Sequence, residues 1–120
     1  MEYKKVLDEV MDKVKGAIYI TFCGSDGLGI ANSTDNVLPP DVDLGDEKIT
    51  SYLVSKSNVL RDMKIGKIRE DITITKNYII LVRMVTEDYF VGMVCTHAVN
   101  VKVARYYLYK ITKMFRDELR

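Results

Sequence analysis

The glycines at positions 24, 27 and 29 are the first residues whose type and spacing could do chemistry. They stand in the segment Gly-Ser-Asp-Gly-Leu-Gly after an apolar run, where backbone N–H groups could hold a phosphate. A dinucleotide-binding loop needs Gly-x-Gly-x-x-Gly before a helix, and a P-loop ends in Gly-Lys-Ser or Gly-Lys-Thr. The order here is Gly-x-x-Gly-x-Gly, without the lysine, and a second apolar run follows. The segment therefore predicts the turn of a β-hairpin.

A metal site is the second chemical possibility, with Cys23, Cys95 and the single histidine, His97, as its ligands. A strand would put Cys95 and His97 on one face. The ligand set is short, however, and it has no Cys-x-x-Cys or His-x-x-x-His spacing. Residues 41–46 resemble a calcium loop only in part, because the glycine and the third acid are exchanged and Tyr52 stands where a bidentate glutamate is needed. We therefore expect no metal and no cofactor.

Catalysis finds little support in the same residues. A single histidine leaves few options for a general base, and no serine lies in a nucleophile elbow. The sequence predicts a protein that is not an enzyme and has no catalytic residues. Cys23 and Cys95 both fall inside predicted strands, so we expect buried, reduced thiols at these positions.

Basic residues and tyrosines share one side of the last predicted helix. At about 100° per residue they fall opposite its apolar seam, and they are Lys102, Arg105, Tyr106, Tyr109, Lys113 and Arg116. This tyrosine-basic stripe could hold phosphates and stack on bases, lie against anionic lipid, or bind an acidic protein surface. A solvated helix face is the simpler interpretation, because the whole chain carries a net charge of only +1. Nucleic acid stays an alternative partner.

The bulk composition limits the organisation of the chain. With 120 residues that are 48% hydrophobic, we expect one domain over residues 1–120. Residues 1–60 carry 6 basic and 10 acidic side chains, whereas residues 61–120 carry 12 and 7, a polarity that suits self-association or a partner of matching charge. Since no apolar stretch approaches the roughly 20 residues of a membrane helix, we expect no membrane insertion and a cytoplasmic location.

Periodicity indicates the elements that must position these residues. The first half of the chain predicts a helix with apolar spacing from Tyr3 to Val14, which Gly16 stops, and then the hairpin. The first hairpin strand is apolar on both parities, so it needs cover on both faces; one parity holds Ile18, Ile20 and Phe22, and the other holds Ala17, Tyr19 and Cys23. Residues 33–43, which contain Pro39 and Pro40, predict a loop.

The second half predicts a helix, three strands and a final helix. Helical spacing runs from Leu44 to about Met63 with a wide apolar sector. Residues 64–75 alternate as in an edge strand, with Ile68, Ile72 and Ile74 on one face, while Lys67 and Arg69 could blunt that edge against pairing. Residues 78–85 and 89–96 predict central strands. Asn100 is a candidate N-cap for the helix whose seam is Val101, Ala104, Leu108, Ile111, Phe115 and Leu119.

The predicted order is therefore α-β-β-α-β-β-β-α, an α+β fold with one five-stranded antiparallel sheet. The first and last helices are expected on one face and the middle helix on the other. Together with this order, the turn of residues 25–31 (Ser-Asp-Gly-Leu-Gly-Ile-Ala), the meander from Tyr78 to Cys95 and the helix after Asn100 resemble the Roadblock (dynein light chain) family of small-GTPase-associated proteins. The resemblance covers nearly the whole chain.

This resemblance implies a homodimer in which the middle helix and the third strand meet their counterparts in a continuous sheet. The expected interface residues are Ile49, Tyr52, Leu53, Val59, Leu60, Ile68, Arg69 and Ile72. It also implies a non-catalytic regulator or scaffold, such as a GTPase-activating protein, that binds a Ras-like small GTPase. The candidate contacts are Lys56, Asn58, Arg61 and Asp62. A small-ligand sensor with an apolar cavity under the middle helix, and a nucleic-acid binder using the tyrosine-basic stripe, remain alternatives.

Overall fold

The computed structural model describes residues 1–35 and 39–120, and it builds three helices and five strands from them. The elements are α1 (Tyr3–Lys13), β1 (Ala17–Gly24), β2 (Gly29–Thr34), α2 (Asp46–Asp62), β3 (Glu70–Ile74), β4 (Ile79–Met84), β5 (Tyr89–Cys95) and α3 (Val101–Glu118). All neighbouring strands pair antiparallel in the order β2-β1-β5-β4-β3. The predicted element order and the α+β architecture are confirmed. Residues 36–38 of the predicted loop lie outside the described residues.

The two faces of the sheet carry separate apolar clusters. Helices α1 and α3 cover one face, where Leu7 and Leu108 pack with Phe22 of β1 and with neighbouring buried residues. Helix α2 covers the other face, where Ile49 and Leu53 pack over the sheet. The central strands contribute to both clusters because successive side chains point to opposite faces. The expected division of the helices between the faces is therefore observed.

Strand β1 departs from the simple alternation that its sequence predicts. Its register shifts twice, between Ala17 and Tyr19 against β5 and between Phe22 and Cys23 against β2. The second shift places the extra residue in β2 and leaves the alternation from Phe22 to Cys23 intact, whereas the first is a bulge-like irregularity within β1 that changes which face its residues occupy. As a result Ile18 joins the α2 side, whereas Ile20 lies on the α1/α3 side. The prediction that these two isoleucines share a face was wrong.

The third strand is shorter than predicted. Lys64 and Gly66 have φ values of 59° and 103°, which end any extended run between α2 and β3. Regular pairing begins at Glu70, so Lys67 and Arg69 precede the strand instead of lying along it. Ile68 packs with the α2 cluster and Ile72 with the α1/α3 cluster, so the prediction of one shared face was wrong.

Two local signals in the sequence have the expected structural result. The Asn100 side chain accepts a hydrogen bond from the Val103 N–H at 3.2 Å and caps α3. In the β1–β2 turn, the Gly24 N–H donates to the Leu28 carbonyl at 2.9 Å, and Gly27 has a φ of 89°. The glycines thus shape a hairpin turn, as predicted.

Candidate functional site

Helix α2 is packed onto the sheet through its first half only. Its buried residues are Ile49, Thr50 and Leu53, and no residue from 54 to 62 is buried. Val59 is 58% exposed, and Met63, just after the helix, is 59% exposed. Because residues four apart lie on the same side of a helix, these two side chains present apolar surface together. The second half of α2 therefore leaves apolar side chains exposed to solvent.

A hydrogen bond to β1 holds the first half of α2 in place. The Tyr19 hydroxyl donates to Oδ1 of Asp46 at 2.6 Å. Burial, and then this hydrogen bond, raise the pKa of the Tyr19 phenol, so the hydroxyl stays protonated as a donor. The Sγ atom of Cys23 lies 3.8 Å from the Thr50 hydroxyl, directly beneath the same part of the helix. The start of α2 is therefore fixed by polar as well as apolar contacts.

The side of α2 that faces β3 makes a second set of polar contacts. Nζ of Lys56 lies 2.6 Å from Oδ1 of Asp71, and the hydrogen bond to this carboxylate raises the pKa of the lysine. Tyr52 hydrogen-bonds to Thr73, and its hydroxyl also donates to Asp71 at 3.4 Å. These contacts tie the middle of α2 to the outer strand of the sheet. Lys56, a candidate GTPase contact, is thus engaged within its own chain.

The expected dimer-interface residues do not form one exposed patch. Ile49 and Leu53 are buried under α2, while four others are partly buried: Tyr52, Leu60, Ile68 and Ile72. Only Val59 and Arg69 of this set are exposed. The structure adds exposed apolar residues that the sequence reasoning missed, which are Val54, Met63, Ile65 and Ile74. The spacing between Val59 and Met63 could have identified one of these additions.

The candidate GTPase contacts cluster around the end of α2, with one exception. Asn58, Arg61 and Asp62 are exposed, and the first two line a cleft between α2 and the sheet. Lys56 points instead towards β3 and its ion-pair partner Asp71. Sequence spacing placed all four on one helix, but it could not show that one of them pairs with a distant strand.

The α2 cleft is the space between residues 50–61 of α2, segment 64–69 and the turn between β4 and β5. Its volume is about 800 Å³. Leu53, Ile68 and Met84 supply apolar walls, and several cationic side chains line the same space, namely Arg61, Lys64, Lys67 and Arg69. At one end, Ser25 donates hydrogen bonds to the carbonyls of Glu87 and Asp88, which joins the β1–β2 and β4–β5 turns. The cleft therefore has a fixed sheet side and a helix that is only partly buried.

The residues considered for a metal site do not converge. Cys23 lies in the α2 cluster and Cys95 in the α1/α3 cluster, on opposite faces of the sheet. Strand β5 ends at Cys95, so alternation does not extend to His97, whose Nε2 lies 2.8 Å from the Thr75 carbonyl oxygen. Burial raises the pKa of the Cys95 thiol to about 12. Across residues 1–35 and 39–120, no group of three or more His, Cys, Asp or Glu side chains is arranged to hold a metal ion.

The tyrosine-basic stripe on α3 is partly engaged with the sheet. Nε of Arg105 lies 2.5 Å from one oxygen of Glu70, whose other oxygen is 2.6 Å from Arg83. Arg116 donates to the Val85 carbonyl at 2.8 Å. Tyr106 and Tyr109 remain exposed. Two of the four cations of the stripe therefore bind protein atoms, which weakens the case for a phosphate-binding face.

Comparison with known proteins identifies the architecture. No family profile and no curated protein matches the sequence. Among solved structures, a Roadblock/LC7 domain from Streptomyces avermitilis matches with a TM-score of 0.78 and 13% identity, over 99% of this chain and 98% of that one. The chain has the Roadblock/LC7 fold. The architecture expected from the sequence resemblance is confirmed.

Two further solved structures share the Roadblock/LC7 fold of this chain. An MglB with a tetrameric arrangement matches with a TM-score of 0.80 and 13% identity, over 94% of this chain and 84% of that one. MglC from Myxococcus xanthus matches with a TM-score of 0.68 and 22% identity, over 98% of this chain and 99% of that one. In the described part of the chain, no helix of this Roadblock/LC7 fold is long and apolar enough to cross a membrane.

Proposed function

We propose that this chain is a non-catalytic regulator or scaffold that dimerises and binds a Ras-like small GTPase, altering its nucleotide cycle or its position. The observation that carries the proposal is the apolar surface left exposed on α2 and β3 of a Roadblock/LC7 fold. The resemblance of the sequence to Roadblock proteins and the structural matches to MglB and MglC support it. Any phosphoryl-transfer chemistry would belong to the GTPase.

The proposed dimer uses the edge of β3 together with the second half of α2. Among the described strands β3 pairs only with β4, which leaves one edge available to a second copy. Val59 and Met63 at the end of α2 are both more than half exposed. Ile74 at the end of β3 is 65% exposed and, by alternation from Ile72, lies on the α1/α3 side of the same edge strand. The neighbouring side chains of Val59 and Met63 form exposed apolar surface of the kind that often marks a contact site. Pairing of two β3 strands would continue the sheet across the dimer.

The charges of β3 favour this pairing. Isolated charges on an edge strand oppose contact with another strand. Here Glu70 is bound by Arg83 and Arg105, and Asp71 is bound by Lys56, so both carboxylates are neutralised within the chain. Lys67 and Arg69, which could have protected the edge, lie outside the regular strand. The edge therefore carries little net charge that a second copy would have to approach.

Sedimentation of matched variants tests the dimer. We expect the unmodified chain to sediment as a dimer at micromolar concentration and Val59→Asp to sediment as a monomer, because a carboxylate would be desolvated in the interface. Val103→Asp places the same change on an exposed position of α3 and should remain dimeric. A monomeric unmodified chain, or equal dissociation of both variants, contradicts the proposed interface.

The GTPase contact is proposed for the end of α2, around Asn58, Arg61 and Asp62. A pull-down from the native cytosol, with GDP or a non-hydrolysable GTP analogue present, should retain a small GTPase. Its GTP hydrolysis is then measured with and without this chain. Arg61→Ala should weaken retention, whereas Lys102→Ala, on the opposite layer, should not. The proposal fails if neither nucleotide state retains a GTPase.

A further inference from the structure

The α2 cleft has the size and lining of a small-molecule site. Its volume of about 800 Å³ falls within the range of roughly 300–1,000 Å³ that ligand pockets occupy. Leu53, Ile68 and Met84 give it an apolar interior. Such pockets bind small molecules well when a few polar or charged groups converge on an otherwise apolar space.

Cations outnumber anions around the cleft. Two acidic residues, Glu87 and Asp88, line it together with four basic ones. Glu87 is already paired with Lys67, which lowers the pKa of its carboxyl group. Within residues 1–35 and 39–120, the side chains of Arg61, Lys64 and Arg69 form no ion pair. Three cationic groups are thus available beside an apolar wall, where a charge interaction is stronger than in bulk water.

We infer that the α2 cleft binds a small organic anion with an apolar body. The apolar part lies against Leu53, Ile68 and Met84, while the anionic group is held by Arg61, Lys64 and Arg69. A purely apolar ligand would leave the three cations without a partner, and a purely ionic ligand would leave the apolar wall uncovered. The lining therefore favours a ligand that has both parts. This binding requires no GTPase and no second copy of the chain, although Arg61 also belongs to the proposed GTPase contact.

Fluorescence of 8-anilinonaphthalene-1-sulfonate, an aromatic anion, provides the first measurement. Its emission should rise on saturable binding to the purified full chain. Decanoate should displace it, whereas decyltrimethylammonium, with the same apolar chain and the opposite charge, should not. Absence of saturable binding, or equal displacement by the two competitors, overturns the inference. The comparison separates recognition of an anion from general adsorption to apolar surface.

Two matched pairs of variants locate the binding site. Ser57 lines the cleft and Ser55, two positions earlier, does not. Ser57→Leu should reduce affinity for the fluorescent anion about tenfold by filling the space, and Ser55→Leu should leave it unchanged. Lys64→Gln should weaken decanoate binding several-fold, while Lys48→Gln, an exposed substitution at the other end of α2, should have no effect. Equal effects within either pair overturn the assignment.

The dimer variant separates this inference from the proposed function. Val59 does not line the cleft. Val59→Asp should therefore retain binding of the fluorescent anion even where it abolishes dimerisation. Loss of the anion together with the dimer would place the probe in the subunit interface and overturn the inference. If Ser57→Leu fails to fold by circular dichroism, the pair Lys64→Gln and Lys48→Gln decides the outcome alone.

Discussion

The two faces of one sheet are packed to different extents. On the α1/α3 face, the rings of Tyr3, Phe22 and Phe115 meet in one cluster, with centroids 4.7–4.9 Å apart. Phe22 and Phe115 are completely buried there. On the α2 face, a single helix contributes Ile49 and Leu53 from its first half. Two helices cover one face of the sheet, whereas the single helix on the other face leaves a cleft open beside it.

This difference shows how a small domain can divide stability from recognition. Two helices and an aromatic cluster bury enough apolar surface on one face to hold the sheet. The remaining helix then needs only a partial anchor, and its second half is left exposed for contact with other molecules. Regions with few buried contacts also open more readily than the core. The α2 layer is therefore the expected site of both partner binding and local motion.

Truncating one core side chain on each face gives the largest expected effect. Phe115→Ala should lower the free energy of unfolding by about 4 kcal/mol, because it opens a cavity in a closed aromatic cluster. Leu53→Ala should cost about 2 kcal/mol, since the adjacent cleft already limits the packing that is lost. Urea denaturation of the two variants measures both values. Equal losses would show that the α2 layer is packed as firmly as the α1/α3 layer.

The two cysteines report on the opening of each face separately. The thiolate is the reactive form, and burial raises the pKa of both Cys23 and Cys95. Alkylation at pH 8 therefore requires local opening of the structure. We expect Cys23, beneath α2, to react about tenfold faster than Cys95 in the α1/α3 cluster.

Single-cysteine variants provide the readout for this labelling. Cys95→Ala leaves only Cys23, and Cys23→Ala leaves only Cys95. Alkylation of each is followed by mass spectrometry under native conditions, with the fully denatured chain as the control for intrinsic reactivity. Equal native rates would mean that both thiols become accessible through the same global unfolding, and the difference between the faces would then be one of packing alone.

The fold could be predicted from sequence because its signals are local. Helical and strand periodicities, the hairpin turn at Gly27 and the cap at Asn100 each act over a few residues. The errors arose where one backbone conformation changed the register. The positive φ at Lys64 shortened β3, and the irregularity near Ala17 moved Ile18 to the other face. Neither residue type requires these conformations, so periodicity alone could not predict them.

The candidate site was less accessible to sequence reasoning, because it depends on contacts between distant segments. Spacing placed Lys56 with Arg61 on α2, but the pairing of Lys56 with Asp71 is a tertiary contact. The cleft likewise forms between α2, segment 64–69 and the β4–β5 turn. A wide apolar sector in α2 indicated an extra surface, yet it could not separate the residues that are buried from those that remain exposed.

The adjacent acids of β3 provide the finest test of the comparison, because each is bound to a different layer. Glu70 pairs with Arg105 of α3, and Asp71 pairs with Lys56 of α2. Arg105→Gln and Lys56→Gln should each lower the free energy of unfolding by no more than about 1 kcal/mol, because the side chains of the two cations are 54% and 40% exposed and solvent screens both ion pairs. The two variants should differ instead in hydrogen exchange. Lys56→Gln removes a tether from the less buried helix and should speed exchange in α2, whereas α3 stays held by Phe115 and its neighbours. Faster exchange in α3 of Arg105→Gln, by a similar factor, would remove the distinction between the faces.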